Sequence, residues 1–106
     1  MIVRIDNAVH EEIENFYAIS MLLHPTLDET VVQAKKARLY AAIRSLKDYA
    51  YIYPSARYKR AWIDAGYREF IAEDFHFAYQ IFLIGETGET VAYVIDACHS
   101  LLYHNS

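Results

Sequence analysis

Residues 67–82, Tyr-Arg-Glu-Phe-Ile-Ala-Glu-Asp-Phe-His-Phe-Ala-Tyr-Gln-Ile-Phe, restrict the possible folds more than any other part of the chain. Phe70 and Ala72 alternate with less apolar neighbours before Glu73-Asp74, and Phe75, Phe77, Tyr79, Ile81 and Leu83 alternate after it. A period of two puts each set on one face of a pleated strand. Two such runs meeting at a short acidic break predict strands that fold back on each other. Gly85 and Gly88 predict a second turn, and residues 90–97 a last strand. A sheet with one apolar face needs another layer to cover it.

The first half of the chain supplies that layer. Ile2-Val3-Arg4-Ile5 reads as a short β-branched strand, and Asn7 can cap a helix behind it. Val9, Ile13, Phe16, Tyr17 and Met21 recur at helical spacing until His24-Pro25 stops the run. Thr26-Leu27-Asp28-Glu29 has the form of a capping box, and Val32, Leu39, Ile43, Leu46 and Ala50 form the stripe of a second helix. Pro54 ends helical order, and residues 55–60 form a basic connector. The expected order is β-α-α-β-β-β. This is an α+β domain over residues 1–106, with a helical hairpin on one face of a mainly antiparallel four-stranded sheet and the other face partly open.

Hydrophobic residues make up 55% of the chain, enough for one core, and no run reaches the roughly 18 apolar residues of a membrane span. The N-terminus lacks the layout of a secretion signal, so a cytoplasmic protein with no membrane partner is expected. Cys98 is the only cysteine, which excludes an internal disulfide and a cysteine zinc site. The net charge of −4 hides an asymmetry. Between Lys35 and Arg60 eight bases face one acid, giving +7; the remaining two bases against thirteen acids give −11. The basic segment is either a face for a polyanion or an ordinary solvated helix surface.

Arg68 opens the hairpin and has two readings. It is a structural ion-pair partner, for example of Asp96, or a fork that binds an anion. His10, His24 and His76 are scattered and read as structural or exposed. The spacing of His99 and His104 is not a helical ligand spacing, and no metal site or cofactor is expected.

The element order, Leu46-Lys47-Asp48 ahead of a proline loop, Gly-Tyr-Arg-Glu-Phe at 66–70, Phe-Ala-Tyr-Gln-Ile-Phe at 77–82 and Val-Ala-Tyr-Val-Ile-Asp-Ala-Cys-His at 91–99 together resemble the RelE/ParE family of type II toxin–antitoxin toxins, over nearly the whole chain. That resemblance implies a toxin with a cognate antitoxin, and one of two activities. RelE-like members are ribosome-dependent messenger RNA endoribonucleases that inhibit translation; ParE-like members inhibit DNA gyrase by binding it. In the first case the resemblance implies that Arg68 clamps the scissile phosphate. His99 and His104 would serve acid–base chemistry, Tyr103 would stack on a base, and Arg57, Lys59 and Arg60 would hold the RNA backbone. The product would be a 2′,3′-cyclic phosphate made without metal. Each residue also has a plain role: His99 as a strand cap, Tyr103 in packing, His104 in a tail. The acidic total and the apolar Ser100-Leu101-Leu102 depart from the family's basic pattern.

Overall fold

In a computed structural model, which describes residues 1–103, Ile2–Ile5 forms β1 and Asp6 turns the chain into α1, Asn7–Leu23. Asp6, not Asn7, is the cap: its Oδ2 accepts from the Ala8 amide at 3.0 Å while Oδ1 accepts from the Tyr93 hydroxyl at 2.6 Å. These two hydrogen bonds hold the Asp6 carboxyl below its ordinary value, the tyrosine contributing most. The second helix, α2, Glu29–Arg44, also begins later than the capping box suggests. Asp28 Oδ1 accepts from the Val31 amide at 2.9 Å, so the shorter acid takes the place assigned to Thr26. Lys36 pairs with Glu14 at 2.8 Å and Tyr40 bonds His10 at 2.7 Å, which fixes α1 and α2 antiparallel.

Ser45 interrupts the long second helix, and a single turn, α3, Leu46–Tyr49, carries Leu46 and Ala50 into the core. The connector is shorter than its composition suggests, because Arg60–Ala65 forms α4, ended by Gly66 at φ +74°. A side chain there is strained even though the surrounding space is open, so glycine suits the position. Strands β2, Arg68–Ala72, and β3, Phe75–Ile84, follow, joined through Glu73 and Asp74 at φ 49° and 71°. Both central residues of the two-residue turn are left-handed, the geometry that matches strand twist. After a 3-10 turn, β4, Glu89–His99, runs straight into the last helical turn, α5, Ser100–Tyr103.

The fold is α+β, with a mixed four-stranded sheet in the order β1-β4-β3-β2. β1 runs parallel to β4, and the other pairs are antiparallel. Val9, Ile13, Val32, Leu39 and Ile43 from the helices meet Phe70, Phe75, Phe77, Tyr79, Ala92 and Val94 in one core on the inner face. β4 carries an extra residue at Ile95, since Ala78 pairs with Asp96 while Tyr79 pairs with Val94. Ala97 and His99 therefore face inward beside Phe77 and Phe75, and Asp96 and Cys98 face outward. The outer face has its own small core of Ala56, Trp62, Ala78 and Tyr103. No helix among the described residues is long and apolar enough to cross a membrane.

Candidate functional site

The outer face gathers a hydrogen-bonded polar cluster. In the β2–β3 register Ile71 stands opposite His76 and Glu69 opposite Ala78, so Glu69 and His76 are diagonal neighbours on one face. Glu69 Oε2 lies 2.9 Å from His76 Nδ1. The Tyr103 hydroxyl donates to both oxygens of the same carboxylate, at 2.8 and 3.0 Å. The His76 and Tyr103 rings stack with centroids 3.7 Å apart and 10° between planes. Tyr103 is only 3% exposed. Burial, and then the hydrogen bond to Glu69, push its hydroxyl far above the ordinary tyrosine value, while the Lys59 backbone amide pulls the other way.

Trp62 from α4 packs beside this group, its ring 6.0 Å from that of Tyr103. Its Nε1 donates to Asp96 Oδ2 at 2.9 Å, and the Ala97 amide donates to Asp96 Oδ1 at 2.8 Å. Lys59 Nζ lies 5.5 Å from the Trp62 ring centroid. Cys98 joins the same small core, and burial raises its thiol above the usual value, which makes it a poor nucleophile. Along the β2 edge, Tyr53, Ser55, Arg57, Tyr58 and Glu69 line a shallow depression of about 290 Å³. Tyr58 is 77% exposed there. A carboxylate–imidazole–phenol group thus sits beside a surface of cations and an open aromatic ring.

Of the residues singled out in the sequence, Tyr103 and Lys59 lie in this cluster, Arg57 lines the adjoining depression and Arg60 opens α4, its Nε 4.0 Å from Asp64. Arg68 and His99 lie on the inner face. Arg68 shares the parity of Phe70, and its Nη1 donates to the carbonyls of Tyr53 at 2.7 Å and Tyr51 at 3.2 Å. Asp96 is engaged by Trp62 and the Ala97 amide. Arg68 therefore ties the turn after α3 to the sheet. It also flanks Tyr79, which is pushed up to about 12 by burial against the opposing pull of Arg68. Replacing Arg68 by alanine leaves two carbonyls without their donor and should cost about 1–3 kcal/mol of stability. Denaturant midpoints of the wild type, Arg68→Ala and Arg68→Lys check this. A change under about 0.5 kcal/mol in Arg68→Ala would remove the clamp role.

His99 stacks on Phe16 at 3.8 Å and meets Phe75 edge-on at 5.1 Å, while its Nδ1 accepts from the Leu101 amide at 3.1 Å. It thus caps the helical turn α5 rather than the end of the strand. Arg68 stands opposite Tyr79 and His99 opposite Phe75. Four strand residues and two strand spacings separate them, roughly 16 Å in the sheet. The structure does not bring Arg68, His99 and Tyr103 together, and His104 lies outside the described residues.

Burial depresses the His99 imidazole below its ordinary value, with Asp74 pulling upward. The unfolded chain takes up this proton near 6.5 and the folded chain only at lower pH, so stability rises with pH between the two values. The contribution is fully present above about 6.5 and is lost as pH falls through the lowered value. The melting temperature should fall more steeply from pH 7.5 to 5.5 in the wild type than in His99→Gln; parallel profiles would disprove the linkage.

The sequence assigns His76 a structural or exposed place and gives Glu69 no role of its own. Their signal was present in the alternation itself, since both have the parity opposite to the apolar face, and the two-residue turn fixes which of them meet. Among the described residues no three His, Cys, Asp or Glu side chains form a set that could hold a metal ion. No protein-family model, curated protein or solved structure matches this chain.

Proposed function

We propose that this chain is the toxin of a type II toxin–antitoxin pair with a RelE/ParE-like fold, and that it inhibits translation by cutting ribosome-bound messenger RNA at its outer face. The observation that carries this reading is the Glu69–His76–Tyr103 cluster beside the cationic connector. Glu69 holds His76 Nδ1, and no hydrogen bond from the described residues engages Nε2. A carboxylate that orients one imidazole nitrogen prepares the other for proton transfer.

In the cleavage step Nε2 takes the proton of a ribose 2′-hydroxyl, whose oxygen attacks the adjacent phosphorus. The bond from phosphorus to the 5′ oxygen breaks, and that oxygen leaves with a proton from the imidazolium. The products are a 2′,3′-cyclic phosphate and a 5′-hydroxyl, and the proton count balances. Arg57, Lys59 and Arg60 offset phosphate charge along the strand. Tyr58, open to solvent, is better presented for base stacking than the enclosed Tyr103. In this role the protein would work in the cytoplasm, with the ribosome and its antitoxin as partners.

A second reading draws on the exposed Leu22, Leu23, Leu101 and Leu102, which suit a protein target. In it the chain inhibits DNA gyrase by contact and cuts nothing. Brief expression in bacteria, followed by mapping of new 5′ ends on translated and untranslated copies of one message, separates the two. Cuts confined to the translated copy support the nuclease. Growth arrest with intact message and inhibited supercoiling supports the gyrase reading and overturns cleavage.

A further inference from the structure

β3 outruns its neighbour on one side. Arg68 opens β2 opposite Tyr79, and before it the chain turns away through Gly66 into α4, so from Gln80 to Ile84 no strand among the described residues pairs with β3 there. On the other side β4 accompanies it as far as the row of Ile84 and Glu89. A notch of about 410 Å³ results, with Tyr51, Gly66, Arg68, Gln80 and Phe82 in its lining. Gln80 Nε2 reaches the Ala65 carbonyl at 3.4 Å. Beyond that contact Phe82 is 48% exposed, Leu83 69% and Ile84 43%. Natural sheets guard such an edge with lysine, proline or a bulge, yet residues 80–84 are Gln-Ile-Phe-Leu-Ile and the extra residue lies in β4.

Symmetry and charge identify the occupant. Arg68 is the only charged residue lining the notch; its Nη1 meets two carbonyls, and no ion pair engages it among the described residues. Lys47 and Asp48, on the turn before Tyr51, offset each other, and Asp64 of α4 lies 4.0 Å from Arg60. At the tip of the hairpin Glu89 lies 3.9 Å from the Met1 amino group, while no ion pair among the described residues engages Glu86. Two antiparallel strands related by a two-fold axis perpendicular to their sheet keep each face on its own side, so the pairing is centred on a residue and not between two. Centring on Leu83 fills the notch without reaching β2. Leu83 then meets its own copy, Phe82 meets the partner's Ile84, and Gln80 meets the partner's Glu86. That acid arrives beside the start of β2, where Arg68 stands. Two uncompensated charges of opposite sign are thus brought together twice, around aromatic and β-branched pairs of the kind that stabilise sheets.

We infer that this edge receives a second copy of the chain, the two β3 strands pairing antiparallel about Leu83 and joining two four-stranded sheets into one. Both outer faces then look to the same side. The assignment is independent of whether the outer face cuts RNA.

Sedimentation velocity of the full chain over a range of concentrations should show a monomer–dimer equilibrium. Leu83→Lys and Glu86→Lys should each weaken it at least about tenfold. The melting temperature should change little, since both side chains are exposed. Leu101→Asp, at an exposed leucine of a different surface, should leave the equilibrium as it is. The register has its own readout, because directly opposed residues of an antiparallel pair have Cα atoms about 4.5–5.5 Å apart, within disulfide reach. In a Cys98→Ser background Leu83→Cys should cross-link under mild oxidation and Leu22→Cys should not. A monomer at every concentration, a dimer that Leu83→Lys leaves intact, or a dimer lost in Leu101→Asp overturns the inference. So does a dimer in which Leu83→Cys cross-links no faster than Leu22→Cys.

Discussion

If the outer face cuts message as proposed, replacing His76 by alanine should reduce that cleavage by about 10²–10⁴-fold, the usual range for loss of a positioned acid–base group. The folded chain should remain, because His76 sits on the sheet's outer face, away from the Phe70–Phe75–Phe77–Tyr79 core. His76→Gln is the companion variant, since it keeps a polar group near Glu69 but cannot transfer the proton. Glu69→Gln should give a smaller loss, as it keeps an acceptor for Tyr103 while weakening the hold on Nδ1. His99→Ala should leave cleavage near the wild-type rate, because His99 lies on the opposite face. Rates would be read by primer extension on ribosome-bound message, with circular dichroism melts on the same preparations. Full activity in both His76 variants would remove the outer cluster from the chemistry. Loss in His99→Ala with its fold intact would return the chemistry to the inner face.

Trp62→Ala should be the most destabilising single change on the outer side, costing about 3–5 kcal/mol. The indole is almost fully buried and packs against Tyr103, and its N–H fills one oxygen of Asp96. Truncation empties the middle of a small core that joins α4 and α5 to the sheet. Trp62→Phe keeps most of the packing and loses the hydrogen bond, so about 1–2 kcal/mol is expected. Urea midpoints give both values. Hydrogen exchange should show α4 amides losing protection before those of α1. A cost below about 1 kcal/mol for Trp62→Ala would mean that α4 is held by something other than this side chain.

How much of this was legible in the sequence depended on which force decided each element. Period-two alternation read out the hairpin, because burying a face leaves a direct mark on spacing. The inner core at Val9, Ile13, Val32, Leu39 and Ile43 was legible for the same reason. Cap positions were missed by one or two residues, since Asp6 competed with Asn7 and Asp28 with Thr26, and local chemistry allows either. α4 and α5 left almost no trace. Each is a turn or two long, with Trp62 and Tyr103 as buried anchors, too few apolar residues to show a period.

The site divided in the same way. The basic connector was visible as composition. Its neighbour Glu69–His76 depended on register, and the destinations of Arg68 and Tyr103 depended on contacts made by backbone carbonyls and by a helical turn far along the chain. Arg68 shows the difficulty most directly. Its side chain faces the helices as parity requires, yet its partners are two peptide carbonyls that no residue-type pattern encodes.

The extra residue in β4 also makes pairing, rather than identity, the determinant of what lies beyond it. Ala97 and His99 point into the helical layer, and Asp96 and Cys98 away from it, only because Ile95 is inserted between paired rows. Drawing Ile95 into the pairing opposite Ala78 would transpose these two pairs without altering any of their side chains: an acid would be driven into the oily interior, and His99 would surface next to Trp62. A chain that lacks this one residue would instead carry every later side chain on its present face, through an unbroken strand, up to the C-terminal turn.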